Sequence, residues 1–262
     1  MKKIFIVALS FVCVVCAGCF QAKSDVIILS DGSVVVHNKA VGNAPAIRRI
    51  EDWKENNERV NPNVKGQLVV DGDLRGYQFD YNYPDVETFA EAASSLYRAK
   101  EGKCHGISKR TGWFFDAYDF DFYWATSPST LPPEAEFITQ AAFNGVEFDV
   151  TIELPYAAEK NNADKVSSDG RVLKWNLAPV TIHGGEKFMQ ARFKIWHKDK
   201  LALTAAFELL LLAATIFFFR KADKEESDSL VKDFRLKRNI FAGLFVALMI
   251  VSAYLLLAPV DF

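Results

Sequence analysis

Two apolar runs near the C-terminal end limit what this chain can fold into. Residues 201–219 are interrupted only by Thr204, Glu208 and Thr215, and residues 239–259 form a second such run. As helices, both match the length that crosses the hydrocarbon core of a bilayer. The segment between them carries Arg220, Lys221, Lys224, Lys232, Arg235, Lys237 and Arg238, whereas only Lys194, Lys198 and Lys200 immediately precede the first run. Basic residues are retained on the cytoplasmic side, so 220–238 is expected in the cytoplasm and the bulk of the chain outside. Trp196 and His197 fall where an interfacial aromatic anchor belongs, and Tyr254 approaches the outer interface of the second run.

The N-terminal end points the same way by independent means. Lys2 and Lys3 precede an apolar stretch from Ile4 to Val15 that is short for a spanning helix, and Cys16-Ala17-Gly18-Cys19 closes it. Such a sequence has the form of a bacterial lipoprotein signal, with the small pair Ala17-Gly18 beside an acceptor cysteine. Cys16 is its one departure, standing where Leu is usual. The expected organisation is a signal peptide over 1–18, a lipid on Cys19 and an extracytoplasmic domain over 19–200. A helix at 201–219, a cytoplasmic loop at 220–238 and a helix at 239–259 then hold the chain in the cytoplasmic (inner) membrane of a bacterium. Membrane lipids are thus partners twice over, through the covalent anchor and through the helices.

Glu208 is the costly residue of this arrangement. At 1.5 Å per residue it lies about 10 Å along its helix, where a carboxylate must pair, protonate or face a wet or protein interior. It reads equally as a proton relay or partner contact and as a protonated or snorkelling side chain.

Half of the 262 residues are hydrophobic, 24% are charged, and the net charge is -2. With no clustered Lys and Arg in the soluble part, nucleic acid is not an expected partner, and no polybasic patch awaits anionic headgroups. Of the four cysteines, Cys104 alone remains once the leader is removed and Cys19 is lipidated, so the domain has no internal disulfide and relies on its core. Cys104 with His105 invites a nucleophilic reading. Neighbours on a strand point to opposite faces, however, so an isolated thiol at a strand entrance is the expectation. His37, His105, His183 and His197 fall at no metal-ligand spacing. No Gly-rich phosphate loop or G-x-S-x-G elbow occurs, so neither a metal nor a cofactor is expected. Asp71-Gly72-Asp73 lacks the remaining positions of a calcium loop and reads as a turn. The scattered acids Glu134, Glu136, Asp149 and Glu153 are candidates for a hydrolase site only if the fold pairs them.

Between leader and helices the alternation of apolar and polar residues predicts a mainly antiparallel α+β domain. Strands are expected at 26–30 and 33–36 around Asp31-Gly32, at 68–70 and at 77–83. Others follow at 113–125, 146–154, 172–177 and 188–196. Helices are expected at 46–55 with Asn43 as a cap, at 85–99, and at 134–144. In the most aromatic segment, Tyr118, Phe120, Phe122 and Trp124 alternate with Asp119, Asp121 and Tyr123. That face is expected to be buried, either as plain core or as the wall of an apolar ligand pocket. The aspartates opposite keep their own face wet.

The order of several features resembles the LppM-type family of bacterial lipoproteins. The resemblance rests on the aromatic strand running into a Phe-containing helix from Tyr77 to Phe89, on Glu153-Leu154-Pro155 and on Asn162-Ala163-Asp164. It continues with Gly170 leading to Trp175-Asn176-Leu177 ahead of a membrane helix. It covers roughly residues 19–219, and the second apolar run departs from it. Such a resemblance implies a lipid-anchored ectodomain that binds lipids or glycolipids and carries no catalytic residues. A non-catalytic envelope module binding a lipid, a glycolipid or an envelope protein is therefore the leading expectation, and an extracytoplasmic hydrolase is the alternative. Because the helices suffice for retention, Cys19→Ser is expected to stay in the carbonate-resistant membrane fraction while altering the function of the outer domain. Release into the soluble fraction would refute the two spanning helices.

Overall fold

The computed structural model describes residues 20–60, 63–96, 106–126 and 146–257. The leader with Cys19, the pair Cys104 and His105, Glu134, Glu136 and the expected helix at 134–144 lie outside the described residues. The chain divides into two compact units. Residues up to 108 together with 118–193 form the first, and 109–117 with 194–262 form the second.

In the first unit, β1 (Phe20–Ile28) and β2 (Val34–Gly42) pair antiparallel in unbroken register from Phe20 opposite Gly42 to Ile28 opposite Val34. The hairpin is far longer than the alternation around Asp31-Gly32 implies, and its loop has more than two residues. Asp31 Oδ1 accepts from Ser33 N (3.0 Å) and Ser33 Oγ (2.7 Å), and Gly32 supplies the left-handed residue at φ 89°. Helix α1 (Ala44–Val60) follows. The Asn43 carbonyl accepts its first amides, but Asn43 Oδ1 is buried without a hydrogen-bond partner, so the expected side-chain cap is not made.

Strands β3 (Gln67–Asp71) and β4 (Leu74–Tyr83) join through Gly72-Asp73, and Asp71 Oδ2 accepts Lys39 Nζ at 2.6 Å. That is the plain turn expected of Asp71-Gly72-Asp73. Helix α2 (Val86–Leu96) comes next, then β5 (Gly106–Thr111), β6 (Phe115–Thr126) and β7 (Glu147–Glu153). The remaining elements up to the two C-terminal helices are β8 (Lys160–Asn161), β9 (Lys165–Val166), β10 (Val172–Asn176), α3 (Ala178–His183) and β11 (Gly185–Trp196).

Two sheets result. The larger has seven strands in the order β3-β4-β2-β1-β7-β10-β9, and the smaller four in the order β5-β6-β11-β8. The pairings of the larger sheet are antiparallel except β1 with β7, which run parallel. One face of the larger sheet presents Val26, Val36, Phe79, Val150, Ile152, Leu173 and Trp175, all buried. Trp53 of α1 meets Phe79 edge-on (5.0 Å), Phe89 of α2 meets Tyr83 (5.6 Å), and Phe120 of β6 stacks on Trp175 (6.4 Å). This is the core: helices and the smaller sheet share one side of the larger sheet. The opposite side is polar, with Lys23 near Glu147, His37 against Asp80 and Lys174 against Asp149. The α+β class and its antiparallel bias agree with the sequence. The division into two sheets was not legible, because alternation reports a buried face and not the neighbour that buries it.

The second unit holds α4 (Lys198–Lys224) and α5 (Asp228–Leu257), joined by Glu225-Glu226-Ser227. Both are long and apolar enough to cross a membrane, and almost none of either apolar window is covered by protein. Such exposed apolar surface fits a membrane-associated protein. The helices continue through most of the basic segment, which contains no Gly or Pro to stop them. Phe218 stacks on Phe241 (5.5 Å) and Phe234 (6.3 Å), and Lys221 Nζ lies 5.4 Å from the Phe234 ring.

The closest backbone approach in the first unit tests the larger sheet. A Cβ on Gly76 would collide with the Ala40 carbonyl oxygen, so a backbone strand would have to move. Gly76→Ala is expected to destabilise the domain by about 1–3 kcal/mol through overpacking. Thermal unfolding of the full-length protein in detergent measures it, and an unchanged midpoint contradicts the β2–β4 pairing.

Candidate functional site

The expected aromatic face divides in two. Phe120 and Phe122 are buried and line a cavity between the sheets. Tyr118 instead stacks on Phe193 (5.3 Å), and Trp124 stands edge-on to Phe148 (5.0 Å) with its Nε1–H donated to Thr181 Oγ1 (3.3 Å). Val26, Val36 and Val150 of the larger sheet, Phe89 and Ala93 of α2, and Met189 of β11 complete the apolar wall. Ser24, Asn38 and Tyr83 add polar atoms. Ser24 and Asn38 are direct cross-strand partners on the inward row, and sequence reading missed them. The one available signal was their interruption of the small and apolar positions at Ala22, Val26, Val36 and Ala40. The cavity measures about 40 Å³. Since benzene needs a void of about 150 Å³, an acyl chain has no room in this one.

A polar tie lies at the end of the sheets. Asn162 Oδ1 accepts from Trp175 Nε1–H (2.9 Å) and from the Gln190 amide (2.8 Å), while its Nδ2 donates to the Phe188 carbonyl (3.1 Å). Asp164 accepts from the Asn176 amide (2.8 Å) and from Lys187 Nζ (2.6 Å). Asn176 Oδ1 in turn accepts the Ala178 amide at the start of α3 (2.9 Å). Trp175 is fully buried, and a buried indole N–H needs an acceptor, which Asn162 provides. Asn162, Asp164, Trp175 and Asn176 therefore hold the short strands β8 and β9, one in each sheet, against β11 and β10.

Next to the tie is a polar cleft of about 220 Å³, lined by Glu147, Asp149, Asp164, Lys165, Lys174 and Asn176. Its carboxylates are held by lysines: Asp149 by Lys174 (2.7 Å), Asp164 by Lys187 and, more loosely, Glu147 by Lys23 (3.4 Å). Burial pushes the Asp164 carboxyl up, but the Lys187 and Asn176 hydrogen bonds outweigh it and leave it below its ordinary value. That shift opposes a general acid, which needs a raised value. Further along the same polar side of the larger sheet His37 donates Nδ1–H to Asp80 Oδ1 (2.7 Å), and this bond holds Asp80 below the usual range against the effect of burial. On the smaller sheet Asp119 takes Arg192 (3.0 Å) and Asp121 takes Gln190 (3.1 Å). Among the described residues no group of three or more His, Cys, Asp or Glu is placed to hold a metal.

In the second unit Glu208 occupies the less exposed stripe of α4 with Leu201, Thr204, Leu211, Thr215 and Phe218, the stripe that meets α5. The contact of Phe218 with Phe241, and the packing of Leu201 and Leu256 on one cluster, set the antiparallel register. Ser252 is the buried polar residue of α5 among the described residues.

Comparison with protein-family models and with curated proteins returns no match. Among solved structures the chain is similar to the folded domain of the Mycobacterium tuberculosis LppM protein, determined by NMR. The TM-score is 0.41 and the identity 12%, over 70% of this chain and 93% of that one.

The lowered carboxyl values of Asp164 and Asp80 make stability depend on acid. A depressed value contributes stability that is complete above the unfolded value of about 3.8 and is lost as pH falls through the lower folded value. Asp164→Asn is therefore expected to lower the unfolding midpoint of the full-length protein at neutral pH. The difference from wild type should shrink below about pH 4. A gap that persists unchanged to strongly acid pH contradicts the ionised Asp164–Lys187 contact.

Proposed function

We propose that this chain is a membrane-anchored lipoprotein of the bacterial envelope, lipidated on Cys19 and crossing the inner membrane with α4 and α5. Its β-rich domain lies outside and acts as a non-catalytic module that binds an envelope protein. The exposed apolar windows of both helices and the basic residues between them support the anchoring and its direction. Of the two kinds of ligand expected, lipid or protein, the small cavity behind Phe120 and Phe122 disfavours a stored acyl chain. A hydrolase would have to work in the polar cleft, where Asp149 and Asp164 are already engaged by lysines.

The observation that carries the protein-binding reading is the β3 edge of the larger sheet, which pairs with β4 alone among the described residues. β3 is its terminal strand, with Leu68 67% and Val70 61% exposed. Gln67-Leu68-Val69-Val70-Asp71 contains no Lys or Pro, the usual guards of a free edge. An extended segment of a partner adds to such an edge through main-chain hydrogen bonds while apolar side chains set the fit.

The test is photo-crosslinking in cells. A benzophenone side chain at Leu68 is expected to yield one discrete protein adduct that Val70→Lys abolishes. In parallel, a diazirine-bearing lipid should label peptides of α4 and α5 and spare those containing Phe120 or Phe122. Labelling at Phe120 or Phe122 with no adduct at Leu68 would overturn the protein reading in favour of a lipid ligand.

A further inference from the structure

The turn between β5 and β6 belongs to the second unit and is fastened to the start of α4. Gly112 N donates to the Phe115 carbonyl (2.8 Å) and closes the turn. His197 N donates to the Phe114 carbonyl (2.8 Å), and His197 Nδ1–H donates to the Trp113 carbonyl (3.1 Å). His197 Nε2 also lies 3.3 Å from Asp116 Oδ1, an ion-pair distance without hydrogen-bond alignment, and Lys109 Nζ lies 3.1 Å from Asp116 Oδ2. Phe114, Phe115 and Ala117 are buried, with Trp196, Leu201 of α4 and Leu256 of α5 packed against them. The turn is thus held between the outer ends of both membrane helices.

Trp113 is the exception to this burial. Its ring is 52% exposed, its Nε1 is 3.5 Å from Thr204 Oγ1, and Lys200 Nζ lies 5.5 Å from the ring centre. Thr204 is one turn into the apolar run that starts at Leu201. Its neighbours Leu203 and Phe207 are themselves 62% and 58% exposed, so the Trp113 ring is continuous with the uncovered apolar surface of α4. An indole at that depth, apolar in body with one N–H and a lysine beside it, has the chemistry of the aromatic belt where hydrocarbon meets headgroups.

We propose that the Gly112–Phe114 turn is a membrane-contacting element, with Trp113 seated at headgroup level beside α4 and Lys200 reaching toward the lipid phosphates. This rests on the reading of α4 as a spanning helix. It adds a non-covalent contact, made from a segment far from α4 in sequence, to the anchors already described. The occupant is the lipid interface itself, since the exposed ring prolongs the surface of α4 that lipid covers.

The test uses the full-length protein in nanodiscs and the fluorescence component lost in Trp113→Phe. That component is expected to be blue-shifted and shielded from aqueous iodide. Lipids brominated near the carbonyl end of the acyl chain should quench most of it, and lipids brominated near the methyl end should quench it less. A red-shifted component quenched by iodide and by neither brominated lipid would overturn the proposal, as would stronger quenching from the methyl end. Carbonate extraction separates the two levels of failure. Release of the protein defeats the spanning helices, whereas retention with an iodide-quenched Trp113 defeats only the contact of the turn.

Discussion

The pairing of β1 on both of its edges is the constraint from which the larger sheet is built. β1 meets β2 along its whole length on one side and β7 from Gln21 opposite Glu147 to Ile27 opposite Glu153 on the other. The first contact is local and cheap in chain entropy, the second spans more than a hundred residues and must recover a larger loop-closure cost through burial. Val26, Val150 and Ile152 supply that burial, and Phe120, Phe122 and Met189 face Val26 and Val150 from across the inter-sheet cavity. Had β1 been an edge strand, the inward row carrying Ser24 and Val26 would have lost one flank of its cover.

This placement gives the anchors a mechanical meaning. Phe20, the first residue of β1, directly follows Cys19, and Trp196, the last of β11, is separated from α4 by His197 alone. A lipid on Cys19 would therefore be attached to a central strand without a flexible spacer. Under the proposed anchoring, the polar side of the larger sheet and the β3 edge are the surfaces offered to a partner.

The short motifs that carry the family resemblance turn out to be structural ties. Asn162, Asp164, Trp175 and Asn176 satisfy one another and the neighbouring backbone, fixing a polar segment that touches both sheets. Their polar atoms are taken up by the chain's own backbone amides and side chains. Of the scattered acids weighed for a hydrolase site, Asp149 is engaged by Lys174, and Asp119 and Asp164 are likewise engaged by Arg192 and Lys187.

What the sequence by itself determined follows from local periodicity and composition: the α+β class, the strands flanking Asp31-Gly32, the buried aromatic face of β6 and the two apolar helices. Each of these depends on residues within a few positions of one another, or on simple transfer of apolar groups from water. Only the tertiary structure decided the rest. It split the strands into two sheets and made Phe120 and Phe122 cavity walls while Tyr118 and Trp124 pack elsewhere. It also left Trp113 bare beside Thr204. Those outcomes depend on which distant segments meet, and a side chain's alternation says that it will be covered or exposed without saying by what.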